Sequence, residues 1–166
     1  MRIVDGILME LEQEGRTTRR VLERVPTDRL TWAPHPKSMT LGQLALHTAQ
    51  VPGTIAGFVA EPVKEITGGF TPPAATSTAQ VLSALDESLS TARGILDKLD
   101  DTVITSTWTL KAGGKTVMAM PRLAVIRAIL LNHWYHHRGQ LTVYLRELDV
   151  PVPSIYGPSA DENPFG

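Results

Sequence analysis

Cysteine is absent from the 166 residues. Structural disulfides, thiolate zinc fingers, iron–sulfur clusters and a protein-borne thiol nucleophile are therefore excluded, and any soft-metal site must be built from His or carboxylate. A surplus of either charge is also missing, since 16 Lys and Arg stand against 17 Asp and Glu. Without a basic excess the electrostatic attraction that anchors proteins to nucleic acid is lacking, and negligible DNA binding is expected. No apolar run approaches the roughly 20 residues of a membrane span, and Asp5 and Glu10 interrupt the stretch where a signal core would lie. A cytoplasmic protein with no membrane partner is the expectation. The 42% of hydrophobic residues that are present suit one folded domain over 1–166 rather than a disordered or fibrous chain.

Apolar spacing marks four long helices. Val4, Leu8, Leu11, Gly15, Thr18, Leu22 and Val25 recur at steps of three and four, and Pro26 closes the first helix. Thr40 and Gln43 form a capping box for the second, whose core stripe is Leu44, His47, Val51, Ile55 and Phe58. Pro52 removes the amide that would bond the Thr48 carbonyl, which predicts a kink or early break there. A Gly/Pro/Thr-rich connector spans 61–76. Ser77 and Gln80 then form a second box before Val81, Leu85, Leu89, Ala92, Leu96 and Leu99. Across 105–120 a Gly113–Gly114 turn predicts a hairpin pairing Leu110 with Val117 and Trp108 with Ala119. Gly114-Lys115-Thr116 is no phosphate loop, because Thr109 stands where the first Gly is required. The fourth helix spans 121–148, with stripe Leu123, Ile126, Leu130, His133, His137, Leu141, Tyr144 and Leu148. The tail, 150–166, is Pro-rich and irregular. The fold class is all-α: an up-down four-helix bundle with a small hairpin before its last helix.

Three of the five histidines fall on core stripes. His133 and His137, four apart, point the same way, and His47 completes a triangle if the second and fourth helices are neighbours. A single histidine on an apolar stripe is more often a hydrogen-bonded core residue. Three converging imidazoles with no carboxylates on the same stripes instead call for a shared cation. A zincin protease would need Glu where Trp134 stands, and a di-iron bundle would need Glu three residues before a histidine. A mononuclear three-His site remains. His136 is read as a rim residue with room for proton-relay work, and His35, between Pro34 and Pro36, as solvent-facing. Arg138 and Gln140 are read as helix or tail contacts.

Three segments carry a more specific likeness: Trp32-Ala-Pro-His-Pro-Lys-Ser-Met-Thr-Leu-Gly-Gln-Leu-Ala-Leu-His47, Asn132-His-Trp-Tyr-His-His-Arg-Gly-Gln-Leu141, and Val152-Pro-Ser-Ile-Tyr-Gly-Pro-Ser-Ala-Asp161. Together they resemble the DinB/YfiT-like family of bacterial metal-binding four-helix bundles, over nearly the whole chain. The resemblance implies that His47, His133 and His137 hold one divalent ion, zinc or nickel, with water in the open position. It also implies a homodimer, to which the small residues Gly15 and Thr18 would add close helix approach. Relatives of this kind include S-transferases and isomerases that use a low-molecular-weight thiol. The family takes its name from DNA-damage induction and is unrelated to the polymerase of the same name.

Two functional classes follow. In the first, a hydroxide or thiolate generated on the ion attacks a small electrophile, making the protein a thiol S-transferase or hydrolase without a protein-borne base. In the second, the ion is structural or the bundle only binds a ligand or partner, and a fourth protein ligand such as Asp161 or Glu162 would favour it. The tail is read as a surface strap, which leaves Tyr156 a weak catalytic candidate.

Overall fold

A computed structural model describes residues 1–69 and 71–165; Phe70, within the expected connector, and Gly166, at the end of the tail, lie outside the described residues. The chain is predominantly helical with one small sheet. Helix α1 is Ile3–Leu22, and α2 is Leu41–Ala60. Strand β1, Val63–Ile66, precedes α3, Thr78–Leu96, and the short α4, Asp101–Thr105. Strands β2, Thr107–Ala112, and β3, Lys115–Pro121, lead into α5, Arg122–Val125. A π-helical stretch, Ile126–Asn132, joins α5 to α6, His133–Glu147. No helix of the described residues is long and apolar enough to cross a membrane.

Helices α2 and α3 are each started by a side-chain cap. Thr40 Oγ1 accepts from the Gln43 amide at 3.2 Å while Gln43 Oε1 accepts from the Thr40 amide at 2.9 Å, so the expected capping box forms in full. The box at α3 forms only by half. Ser77 Oγ accepts from the Gln80 amide, but the Gln80 side chain turns to Thr76 instead. Helix α3 packs on both α1 and α2, and α6 packs on α2 and α1. Gly15 lets α1 approach α3 closely, because a Cβ there would lie 2.8 Å from Leu89 Cδ1. Thr18 is fully buried and faces Arg138. Both small residues thus serve packing within the chain.

Pro52 does not break α2, which runs on to Ala60. The Thr48 carbonyl that loses its helical partner accepts instead from Trp134 Nε1 at 2.8 Å, and Trp134 is fully buried. Pro52 thereby creates the acceptor that fixes α6 against α2 beside His47 and His133. Trp134→Phe should leave this carbonyl buried without a donor and cost about 1–3 kcal/mol in urea unfolding. A loss below about 0.5 kcal/mol would show that the bond does not hold the helices.

The sheet departs further from expectation. Its order is β1-β2-β3, with β1, which lies inside the expected Gly/Pro/Thr-rich connector, parallel to β2. Strands β2 and β3 form the expected hairpin, and Gly113 and Gly114 adopt φ +57° and +75° at its turn. The register agrees with expectation near the turn, where Lys111 faces Thr116, and then slips at a bulge. Leu110 consequently pairs with Met118 and Trp108 with Met120, leaving Val117 57% exposed. Trp108, fully buried, donates to the Phe58 carbonyl at 2.9 Å, and Arg122 Nε donates to Val59 at 2.9 Å. These bonds satisfy carbonyls that the end of α2 leaves open, and they hold the sheet against that end.

The π turn corrects the stripe of the last helix. A π turn holds more residues than an α turn, so side chains beyond it are rotated. Buried positions are Ile126, Leu130 and Leu131, then Trp134, His137, Arg138, Leu141 and Leu145; His133, Tyr144 and Leu148 are only half-buried.

Candidate metal centre

The three histidines meet. Their ligand nitrogens lie within 4.8 Å of one another, in the one group of three or more potential ligands found among the described residues. His47 comes from the middle of α2, and His133 and His137 from successive turns of α6. His133 Nε2 is 3.5 Å from His47 Nε2 and 2.7 Å from His137 Nε2.

Hydrogen bonding on the far side of two rings fixes what these nitrogens carry. His133 Nδ1 is 3.2 Å from the Ile129 carbonyl, and His137 Nδ1 is 2.8 Å from Gln140 Oε1. Both oxygens accept, an arrangement that favours the proton on Nδ1 and a lone pair on Nε2 of each ring. Two lone pairs facing each other at this distance repel unless a cation lies between them. A proton is a poor candidate. Burial, followed by the neighbouring His137 and His133, pulls His47 down to about 4. Burial is also the main cause that lowers His133 and His137. Neutral, inward, Nδ1-anchored imidazoles are the donor set of a divalent transition-metal ion, and Gln140 and the Ile129 carbonyl stand where orienting partners of such ligands stand.

The remaining site candidates separate from this cluster. Asp161 pairs with Arg146 and accepts from the Val152 amide, while Glu162 pairs with Arg20 and accepts from the Ser154 amide. Neither tail carboxylate joins the histidines. His136 is exposed, its ring 5.1 Å from that of His137. His35 is exposed and accepts from the Lys37 amide.

Tyr156 belongs to a latch. Its hydroxyl donates to Glu14 Oε2 at 2.9 Å and accepts from Arg138, whose guanidinium lies 5.1 Å from the Tyr135 ring and 5.1 Å from the Tyr156 ring. Arg138 and Glu14 form a buried ion pair at 2.6 Å, and Thr18 Oγ1 accepts from Arg138 at 3.2 Å. Beside it Tyr135 donates to Glu10, whose carboxylate takes a bidentate pair from Arg127. Glu14 is a buried acid outside the stripe read from the spacing of α1. Its signal was there: Val4, Ile7, Leu11, Glu14, Thr18 and Val21 also step by three and four, and all are buried.

The sequence matches the DinB family over residues 3–163. The chain belongs to the DinB family. A relative named Uncharacterized protein YrdA, from Bacillus subtilis (strain 168), is 27% identical over 159 residues, covering 96% of this chain and 91% of that protein. A DinB-like protein from Bacillus cereus ATCC 10987 superposes with a TM-score of 0.69 at 23% identity, over 92% of this chain and 97% of its own. The DinB-like protein YjoA from Bacillus subtilis gives 0.65 at 19% identity, over 89% and 96%. At these identities the two structures speak for the shared DinB fold alone.

Proposed function

We propose that this DinB-family protein is a metal-dependent enzyme acting on small electrophilic molecules, of the thiol S-transferase type or a hydrolase, with one zinc or nickel ion held by His47, His133 and His137. The observation that carries the reading is the convergence of three ring nitrogens, with His133 Nε2 2.7 Å from His137 Nε2 and 3.5 Å from His47 Nε2. A divalent ion bound there supplies Lewis acidity that brings a coordinated water or thiol to its deprotonated form near neutral pH. The chain's own residues do the rest. Gln140 and the Ile129 carbonyl keep the proton on Nδ1 and so keep Nε2 available. Trp134, bonded to Thr48, holds the α6 histidines against α2. Open space of about 290 Å³ lies on the His137 side, bordered by Lys37, Ser38, Gln140 and Tyr144, and is suited to the polar part of a low-molecular-weight thiol.

The same reading takes the four long helical runs as an up-down bundle, the protein as cytoplasmic and homodimeric, and nucleic acid as no partner. The engagement of Asp161 and Glu162 by arginines supports an open fourth position over a closed structural site. Cobalt substitution tests it. A small thiol such as 2-mercaptoethanol should produce a sulfur-to-metal charge-transfer band, and Ala at His47, His133 or His137 should abolish it. A four-ligand cobalt spectrum that no thiol perturbs would defeat the enzyme reading.

A further inference from the structure

The His47 side of the cluster opens on a second cavity, of about 460 Å³, between α2 and β1. That is the size of a small-molecule site. Its walls include Ile55, Phe58 and Ile66. Lys64 and Ile66 share one face of β1, because side chains two apart on a strand point the same way. Lys64 is the one partly buried residue of that strand. Its ammonium lies 4.7 Å from the centre of the Phe58 ring, and among the described residues it forms no ion pair. Glu65 also reaches the rim, but its carboxylate accepts from the Gly114 amide at 2.9 Å.

We propose that this cavity is a binding site for a small apolar molecule bearing a carboxylate, with the apolar part against Ile55, Phe58 and Ile66 and the carboxylate on Lys64. Resting on the function proposed above, this molecule is the substrate, since His47 lines the same cavity. The apolar walls favour a ligand with little polar surface. A cation seated on an aromatic face, with no acidic partner among the described residues, favours a single negative charge on that ligand. One lysine with no arginine beside it suits a monovalent carboxylate better than a phosphate, which draws several donors.

The test uses the full chain, metal-free and zinc-loaded, with phenylacetate as probe and phenylacetamide as its uncharged counterpart. Binding is followed by calorimetry and by amide shifts of Phe58, Lys64 and Ile66. Phenylacetate should bind one per chain in both forms. Lys64→Gln should weaken it about tenfold and leave phenylacetamide unchanged, whereas Phe58→Ala should weaken both. Zinc uptake should be the same in Lys64→Gln as in the parent, and circular dichroism should show both variants folded. Three outcomes overturn the site: no saturable binding, equal affinity of Lys64→Gln for phenylacetate, or binding only with zinc present, which would mean that the carboxylate ligates the ion. Failure of zinc uptake with Lys64-dependent binding intact would instead remove the metal reading and leave this site standing.

Discussion

Replacing Arg138 with methionine should lower the free energy of unfolding by about 3–5 kcal/mol, the range expected when one partner of a buried ion pair is lost. Arg138 is 2% exposed and Glu14 5%. Little water reaches the Glu14 carboxylate to stand in for the lost guanidinium. The loss would be compounded at Thr18 and Tyr156, which both bond Arg138, and at the Tyr135 and Tyr156 rings that flank it. Pairing Arg138→Met with Glu14→Leu should recover most of the stability, because the cost lies in stranding a charge rather than in removing a pair. Urea denaturation of both single variants and the double variant measures the coupling directly. A single-variant loss under about 1 kcal/mol would mean that solvent relieves the stranded acid and that the latch is not buried in solution. Limited proteolysis adds a second readout, since Tyr156 ties the tail to α1 through Glu14 and its release should expose the tail to cleavage.

How much of this could be read from the sequence depended on the range of the interaction involved. The capping box at Thr40, the hairpin turn at Gly113–Gly114 and the pairing of His133 with His137 are written in residues a few positions apart, and local chemistry decides them. The features that escaped are decided by distant partners. Pro52 reads locally as a breaker, but Trp134, 86 residues away from Thr48, satisfies the carbonyl it strands and the helix continues. Strand β1 lies in a Gly- and Pro-rich stretch with little pattern of its own and exists because β2 supplies the ladder beside it. The bulge that frees Val117 and the π turn that rotates α6 each shift the register of residues without altering their spacing. The metal cluster survived that rotation because His133 and His137 lie beyond the π turn and rotate together.

Removal of the metal should leave the chain folded but sensitive to acid. The extensive apolar core, from Val4 on α1 to Leu145 on α6, does not depend on an ion. A saturating ion at 1,000 times its dissociation constant adds only about 4 kcal/mol on top. In the metal-free chain His47 titrates at about 4, below its ordinary 6.5, and His133 and His137 are displaced in the same direction. An unfolded chain takes up these protons near pH 6.5, whereas the folded one resists them. Stability is therefore complete above about pH 6.5 and falls as the pH drops toward 4. Solvent reaches part of the His47 ring, which limits its share to the order of 1 kcal/mol, or about 2–4 °C in Tm. His47→Gln should flatten that part of the profile while destroying stoichiometric metal binding. With zinc saturating the site, the fall should move to lower pH, because protons must then displace the ion before they reach the rings. Melting curves of metal-free, zinc-loaded and His47→Gln protein between pH 7.5 and 4 decide the matter. Collapse of the fold on metal removal at pH 7.5 would make the ion structural, and a metal-free profile with no decline below pH 6.5 would mean that the three rings do not share the buried, neutral cluster on which the metal reading depends.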